Sequence, residues 1–253
     1  MNALPTLDAH AHLDPARPRQ DFSACGAALA MTFSLEGAAQ ALERDDELIA
    51  WGVGCHPRMP AAQHSFDPDR FRELSARAAV VGEVGQDGTW RVGKKLQLSI
   101  FRQILGTVAE QPRPVSIHSV GATGLVLKEL GRALIAAPIL HRWTGTAAET
   151  QEAVELGCYF SIHSQTARHS KFRSWVPLER VLIESDQGLN DPPAGIPARI
   201  EWTEHLVAQQ YQIDVRELRD IVWQNFARIL GEAGTRGLPG GSARLIQQGL
   251  HDA

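Results

Sequence analysis

Short apolar runs recur along the chain, each followed by a polar loop and then a longer segment in which large apolar residues return every three or four positions. The first run, Leu7 to His12, alternates apolar and polar residues, so the two-residue period of a strand puts Asp8, His10 and His12 on one face. Ala27 to Phe33, Leu48 to Cys55, Ala79 to Val84, Val115 to Ile117, Pro138 to Leu140, Cys158 to Ile162 and Arg180 to Ile183 read as the remaining strands. Helices are predicted over Gly37 to Arg44, Asp67 to Arg77, Leu96 to Glu110, Leu125 to Ile135, Arg199 to Tyr211 and Val215 to Leu230. The clearest stripe is Leu96, Ile100, Ile104 and Val108, and Thr146 with Glu149 has the spacing of a capping box at the head of a helix ending near Gly157. Strands alternating with helices in repeats of roughly 20 to 35 residues predict an α/β fold, a (β/α)8 TIM barrel, with a doubly wound open sheet as the other arrangement the pattern fits.

The chain of 253 residues, 43% of them hydrophobic, is long enough for a single large core and shows no break in composition. We read residues 1–230 as one barrel and 231–253 as a glycine-rich connector followed by a short helical tail carrying Leu245, Ile246 and Leu250. Cys25, Cys55 and Cys158 lack any C-x-x-C pairing and read as reduced thiols, which points to the cytoplasm. No basic segment leads into an apolar run at the N-terminus and no stretch is long enough to span a bilayer, so no membrane association is expected. A net charge of −4 gives no overall attraction to polyanions, so a nucleic acid would have to be drawn in by local charge or bound metal.

The positions of the polar residues say more. His10, His12, Glu83, His118, His141 and Asp186 each fall at or near the C-terminal end of a strand, and a barrel gathers those ends into one mouth. Imidazole lone pairs and carboxylates converging there are ligands for a divalent cation, and four histidines favour zinc, manganese, nickel or cobalt over magnesium, which prefers oxygen. Around the mouth, the loop after the fourth strand carries Arg91, Lys94 and Lys95, and the loop after the seventh carries Arg168, His169, Lys171 and Arg173. We take Arg168, Lys171 and Arg173 as candidate contacts to a phosphate backbone, with Trp90 and Trp143 able to stack a base or simply to pack. His64, His205 and His251 have no partner ligands and are expected on the surface, and His163 is close to the mouth without being a chosen ligand.

Seven motifs, D-A-H-A-H-L-D at 8–14, G-C-H-P at 54–57, G-E-V-G-Q-D at 82–87, P-V-S-I-H-S at 114–119, H-R-W-T-G at 141–145, G-C-Y-F-S-I at 157–162 and I-E-S-D at 183–186, occur in the order found in one family. The chain resembles the TatD family of metal-dependent deoxyribonucleases from residue 7 to about Asn225-Phe226. That resemblance implies two divalent metal ions (magnesium, manganese, zinc, nickel or cobalt), with His10, His12 and Asp186 on one, His118 and His141 on the other, and Glu83 bridging them. His56 would touch the substrate phosphate, and Glu83 and Asp186 would be the catalytic carboxylates. The chain departs from the usual pattern at Val120, where the family carries arginine, at Trp143 in place of phenylalanine, at Gln86 to Gly88, and at Gln187-Gly188. These departures resemble a divergent branch encoded in bacterial anti-phage loci of the Qat type.

The expected function is therefore a two-metal phosphodiesterase that hydrolyses DNA, an exonuclease on single strands or frayed ends, working in an anti-phage defence system beside other proteins. Two alternatives stand next to it: an amidohydrolase or phosphotriesterase-like hydrolase, and a protein serving chiefly as a subunit of a defence complex. Glu83 favours the nuclease over the first, because barrels of that kind usually bridge their metals with a carboxylated lysine at this strand.

Overall fold

The computed structural model describes residues 4–22, 26–168, 172–188, 195–196 and 198–235. Its strands are β1 (Leu7–Ala11), β2 (Ala27–Ala30), β3 (Ile49–Val53), β4 (Val80–Gly85), β5 (Val115–His118), β6 (Pro138–Leu140), β7 (Tyr159–Ile162) and β8 (Val181–Ile183). They lie side by side in chain order, every neighbouring pair parallel. Every strand residue is buried, as expected where one face fills a barrel and the other is covered by helices. The first and last strands meet just past the end of β8. Asp186 N–H donates to His10 O at 3.0 Å and His12 N–H to Gln187 O at 2.8 Å, so the sheet closes into a (β/α)8 barrel and the open-sheet alternative falls.

The helices are α1 (Leu35–Ala41), α2 (Pro60–His64), α3 (Pro68–Arg77), α4 (Lys94–Glu110), α5 (Thr123–Ala133), α6 (Ala147–Glu155), α7 (Ser164–Ala167), α8 (Glu201–Tyr211) and α9 (Val215–Glu232). Their starts follow side-chain chemistry. Asp67 caps α3, Asp214 caps α9, and Thr146 and Glu149 form the expected capping box. The short α2 and α7 escape periodicity because neither is long enough to display an apolar stripe. Helix α9 docks on both ends of the seam: Trp223 Nε1 donates to Pro5 O, and Asn225 Nδ2 donates to Leu178 O and Val181 O. Among the described residues no helix is long and apolar enough to cross a membrane.

The predicted connector begins inside this helix. Gly231 and Glu232 are helical and Thr235 is buried, so the barrel's last helix runs on past Leu230. Positions 236–253, with Leu245, Ile246 and Leu250, lie outside the described residues, as does Cys25. Cys55 and Cys158 are free and buried, and burial pushes both thiols up to about 12, which leaves them protonated and unreactive.

Gly54 is needed where the chain leaving β3 passes Gly82 and Glu83 inside β4. A Cβ there would stand 2.1 Å from Thr32 O and 2.5 Å from the backbone nitrogen of Glu83. Gly54→Ala should therefore displace the segment carrying Glu83 and destabilise the protein by about 1–3 kcal/mol, the usual cost of overpacking a tight site. Urea unfolding measures this, and a wild-type midpoint would show that the contact relaxes freely.

Candidate metal centre

Glu83 sits at the middle of the mouth with both oxygens facing imidazoles. On one side its Oε2 is 3.3 Å from His10 Nε2, 3.0 Å from His12 Nε2 and 3.0 Å from His56 Nε2. Facing Oε1 are His118 Nδ1 at 2.6 Å and His141 Nε2 at 3.0 Å. Rigid strand ends place most of these groups: His10 on β1, His12 just past it, Glu83 inside β4, His118 closing β5 and His141 directly after β6. His10 Nε2 and His12 Nε2 are 3.4 Å apart, so with Oε2 they form a triangle whose edges match the roughly 3.4 Å between neighbouring ligands around a tetrahedral ion with bonds of about 2.1 Å. Oε2 makes no hydrogen bond despite its burial, which is how a lone pair looks when it points at a shared centre and not at a donor. The donor set fits a divalent metal.

Outer partners fix which ring nitrogens face inward. His12 Nδ1 donates to Met31 O at 3.0 Å, and His118 Nε2 donates to Asp87 Oδ2 at 2.8 Å, leaving the inward nitrogen of each as the ligand. His10 Nδ1 is held by Ser116 Oγ at 2.7 Å. Glu184, fully buried, lies 3.6 Å from His141 Nδ1, a charge pairing too long for a hydrogen bond. His56 differs. Its Nδ1 accepts from Arg58 N–H at 3.0 Å, so the neutral ring carries its proton on Nε2 and presents a donor to the centre.

The electrostatics follow from burial and neighbours. Burial opposes charging Glu83, but the charges of His56 and His141 and the close approach of His10 and His118 outweigh it and hold the carboxyl well below its usual range. Burial, reinforced by His141, pushes His10 down to about 3. His141 stands well above the ordinary histidine value, because Glu83 and Glu184 outweigh its burial. Asp8, which shares a strand face with His10 and His12 in the alternation, ligates nothing here. It accepts from Ser185 N–H and Ser185 Oγ–H, burial pushes it up to about 7, and it fastens the segment that carries Asp186.

Asp186 closes the mouth opposite Glu83. Its φ is 50°, a left-handed conformation that non-glycine residues adopt at a cost, held by the seam bond to His10 O. A carboxylate oxygen of Asp186 and one nitrogen each of His10 and His141 lie within 4.8 Å of one another. The grouping expected from the resemblance, Asp186 with His10 and His12, is therefore met at His10, with His141 beside it because the two rings stack at 4.0 Å. Asp186 Oδ2 also accepts from Arg142 Nη1 at 2.5 Å, a partner the sequence reading missed.

The rim agrees only partly with expectation. Trp143 is 2% exposed, its Nε1 donates to Thr150 Oγ1 and it packs on Phe160, so it is a packing residue and stacks no base. Gly145 lies against that indole, where a Cβ would come within 2.1 Å of Cζ2. Trp90 is exposed, with the Arg58 guanidinium 4.3 Å over its ring. Arg91, Lys94 and Lys95 are exposed, the two lysines opening α4. Arg168 is exposed beside the mouth, whereas Lys171, His169 and the side chain of Arg173 lie outside what is described. His163 caps α7 through Gln165 N–H, and His205 stacks on exposed Trp202, away from any ligand group.

Asp87 and Glu184 were missed as orienting groups, although one period of the strand separates Glu184 from Asp186. Asp87→Ala and Glu184→Gln should each weaken metal binding about 10- to 100-fold without unfolding the barrel, the usual effect of losing a carboxylate behind a ligating histidine. Metal titration of each variant checks this, and wild-type affinity would remove both from the centre.

Over residues 7–231 the chain matches the family model described as TatD related DNase. An uncharacterized metal-dependent hydrolase of Buchnera aphidicola is 26% identical over 199 residues, which span 70% of this chain and 75% of that protein. The crystal structure of a TatD homolog from Escherichia coli K12 superimposes with a TM-score of 0.74 at 19% identity, covering 88% of this chain and 97% of the other. A TatD family hydrolase from Entamoeba histolytica gives 0.71 at 16%, covering 90% and 99%. At such identities the two structures establish the shared barrel, and the family match, extending over nearly all of the chain, establishes more: this protein is a metal-dependent hydrolase of the TatD family.

Proposed function

We propose that this hydrolase is a two-metal phosphodiesterase that cleaves DNA, acting on single strands or frayed ends. The observation that carries the reading is Glu83, whose two oxygens each face a separate set of histidines, so that one carboxylate is placed to be shared by two ions. Ions held there would polarise a phosphoryl oxygen and neutralise charge that develops in the transition state.

The chain's own groups do the rest. His10 and His12 supply one pair of ligands and His118 and His141 the other, the first three aimed by hydrogen bonds to Ser116, Met31 and Asp87. Asp186, kept ionised by His141, His10 and Arg142 against its burial, accepts the proton of the attacking water. His56 donates Nε2–H to a phosphate oxygen, the role its tautomer leaves open. Arg168, with Lys171 and Arg173, guides the backbone toward the mouth. A single strand suits this site because its bases are already unstacked, whereas a duplex would have to be opened first. We place the protein in the cytoplasm on its lack of paired cysteine motifs, and in an anti-phage system with protein partners on its departures at Val120, Trp143 and Gln187-Gly188.

Metal analysis of the purified protein, followed by assays on single- and double-stranded DNA with magnesium, manganese, zinc, nickel and cobalt in turn, tests the reading. Single strands should be degraded from an end and a chelator should abolish the activity. Failure to cleave DNA with every metal would overturn it. His118→Ala should lower metal content from two ions toward one, and two full sites in that variant would remove His118 from the ligands. Asp186→Asn should lower kcat about 10²- to 10⁴-fold with an unchanged melting temperature, as expected for loss of a general base. His56→Ala should act mainly on KM, and a change confined to kcat would contradict its assignment to the phosphate.

A further inference from the structure

Beside Asp186 the mouth opens into a cavity of about 640 Å³ between the ends of β6 and β7. Arg142, Gln165 and Arg168 form its polar wall, and Phe172, Trp175 and Val176 its apolar one. We propose that this groove takes the nucleotide next to the scissile bond of a single DNA strand, Arg142 holding its phosphate and Trp175 stacking on its base. The assignment rests on the nuclease reading and adds to it a subsite and two residues.

Arg142 is placed for the phosphate by its neighbours. His141 N–H is tied to Ile117 O and Trp143 N–H to Ser161 O, so strands on both sides fix the backbone around Arg142 in a left-handed conformation of φ 46°. Its guanidinium joins the centre to the groove: Nη1 donates to Asp186 Oδ2 and Nη2 to Gln165 Oε1 at 2.9 Å, while the side chain remains 39% exposed. A guanidinium has more donors than these two bonds use, and its fork matches a phosphate. It therefore stands one hydrogen bond from the carboxylate that handles the reacting water.

Trp175 stands on an anchored turn. It is 37% exposed, yet the turn that carries it is anchored from below: Trp175 N–H and Val176 N–H both donate to Phe172 O, and Tyr211 Oη donates to Val176 O at 2.8 Å. Phe172 and Val176 are buried, and Phe172 meets the Tyr211 ring edge to face. An indole on a backbone already fixed has less entropy to lose when a base stacks on it than one on a free loop. Two arginines in a chain of net charge −4 make this cavity complementary to a phosphodiester, while the aromatic that lines it with them is complementary to a base.

Fluorescence anisotropy compares a labelled thymidylate strand with an abasic strand of the same length across a salt series, using the full-length protein. Wild type should bind the thymidylate strand about ten-fold more tightly, and Trp175→Ala should erase that preference while leaving the abasic affinity unchanged. Arg142→Ala should weaken both strands and reduce the salt slope by about one counterion, with Arg142→Lys recovering the slope but not the full affinity. Trp202→Ala, exposed on α8 outside the groove, should behave as wild type. Retention of the base preference by Trp175→Ala, or of the salt slope by Arg142→Ala, in variants with wild-type melting would overturn the subsite while DNA cleavage by wild type kept the nuclease reading. A wild-type protein that neither binds nor cleaves DNA would overturn both.

Discussion

An anion with no access to water has to be neutralised by what surrounds it, and in this barrel that anion is Glu83. Imidazoles from five positions come within 2.6–3.3 Å of its carboxylate. Its Oε2 has three imidazole nitrogens within 3.3 Å and yet receives no hydrogen bond. The arrangement makes sense as a set of lone pairs that cations complete, and the outer partners Met31 O, Ser116 and Asp87 keep those lone pairs aimed.

Much of this was legible in the chain because strand ends in a barrel converge regardless of loop detail. Placing His10, His12, Glu83, His118, His141 and Asp186 at strand termini was enough to place them together. The tautomer of His56 was not legible, since it depends on the backbone N–H of Arg58 turning back onto Nδ1. Nor was Arg142, which sits next to a ligand histidine in the sequence and gains its role only from a left-handed backbone that brings it to Asp186. For Trp143 the sequence leaves stacking and packing open, and the structure decides for packing, its indole buried and bonded to Thr150. Exposure of one aromatic against another is decided by loop paths that apolar periodicity does not encode.

The centre and the rim of the barrel therefore obey different constraints. Ligands on strands are fixed by the sheet and tolerate little change, while Val120, Arg142, Trp90 and Trp175 lie on connections that can be exchanged without disturbing the metal-binding face. A barrel built this way can keep its strand-end ligands while the charges on its rim change. Here the position two residues past His118 is an exposed valine, and the guanidinium bonded to Asp186 comes from beyond β6.

The closing seam of the barrel is made by Asp186 and Gln187, whose backbones bond to His10 and His12. The same short stretch thus joins the two ends of the sheet and holds the Asp186 carboxylate beside His10. Fraying at the seam would separate Asp186 from His10 while most of the core stayed packed, so heating should silence the enzyme at temperatures where its helices are still intact.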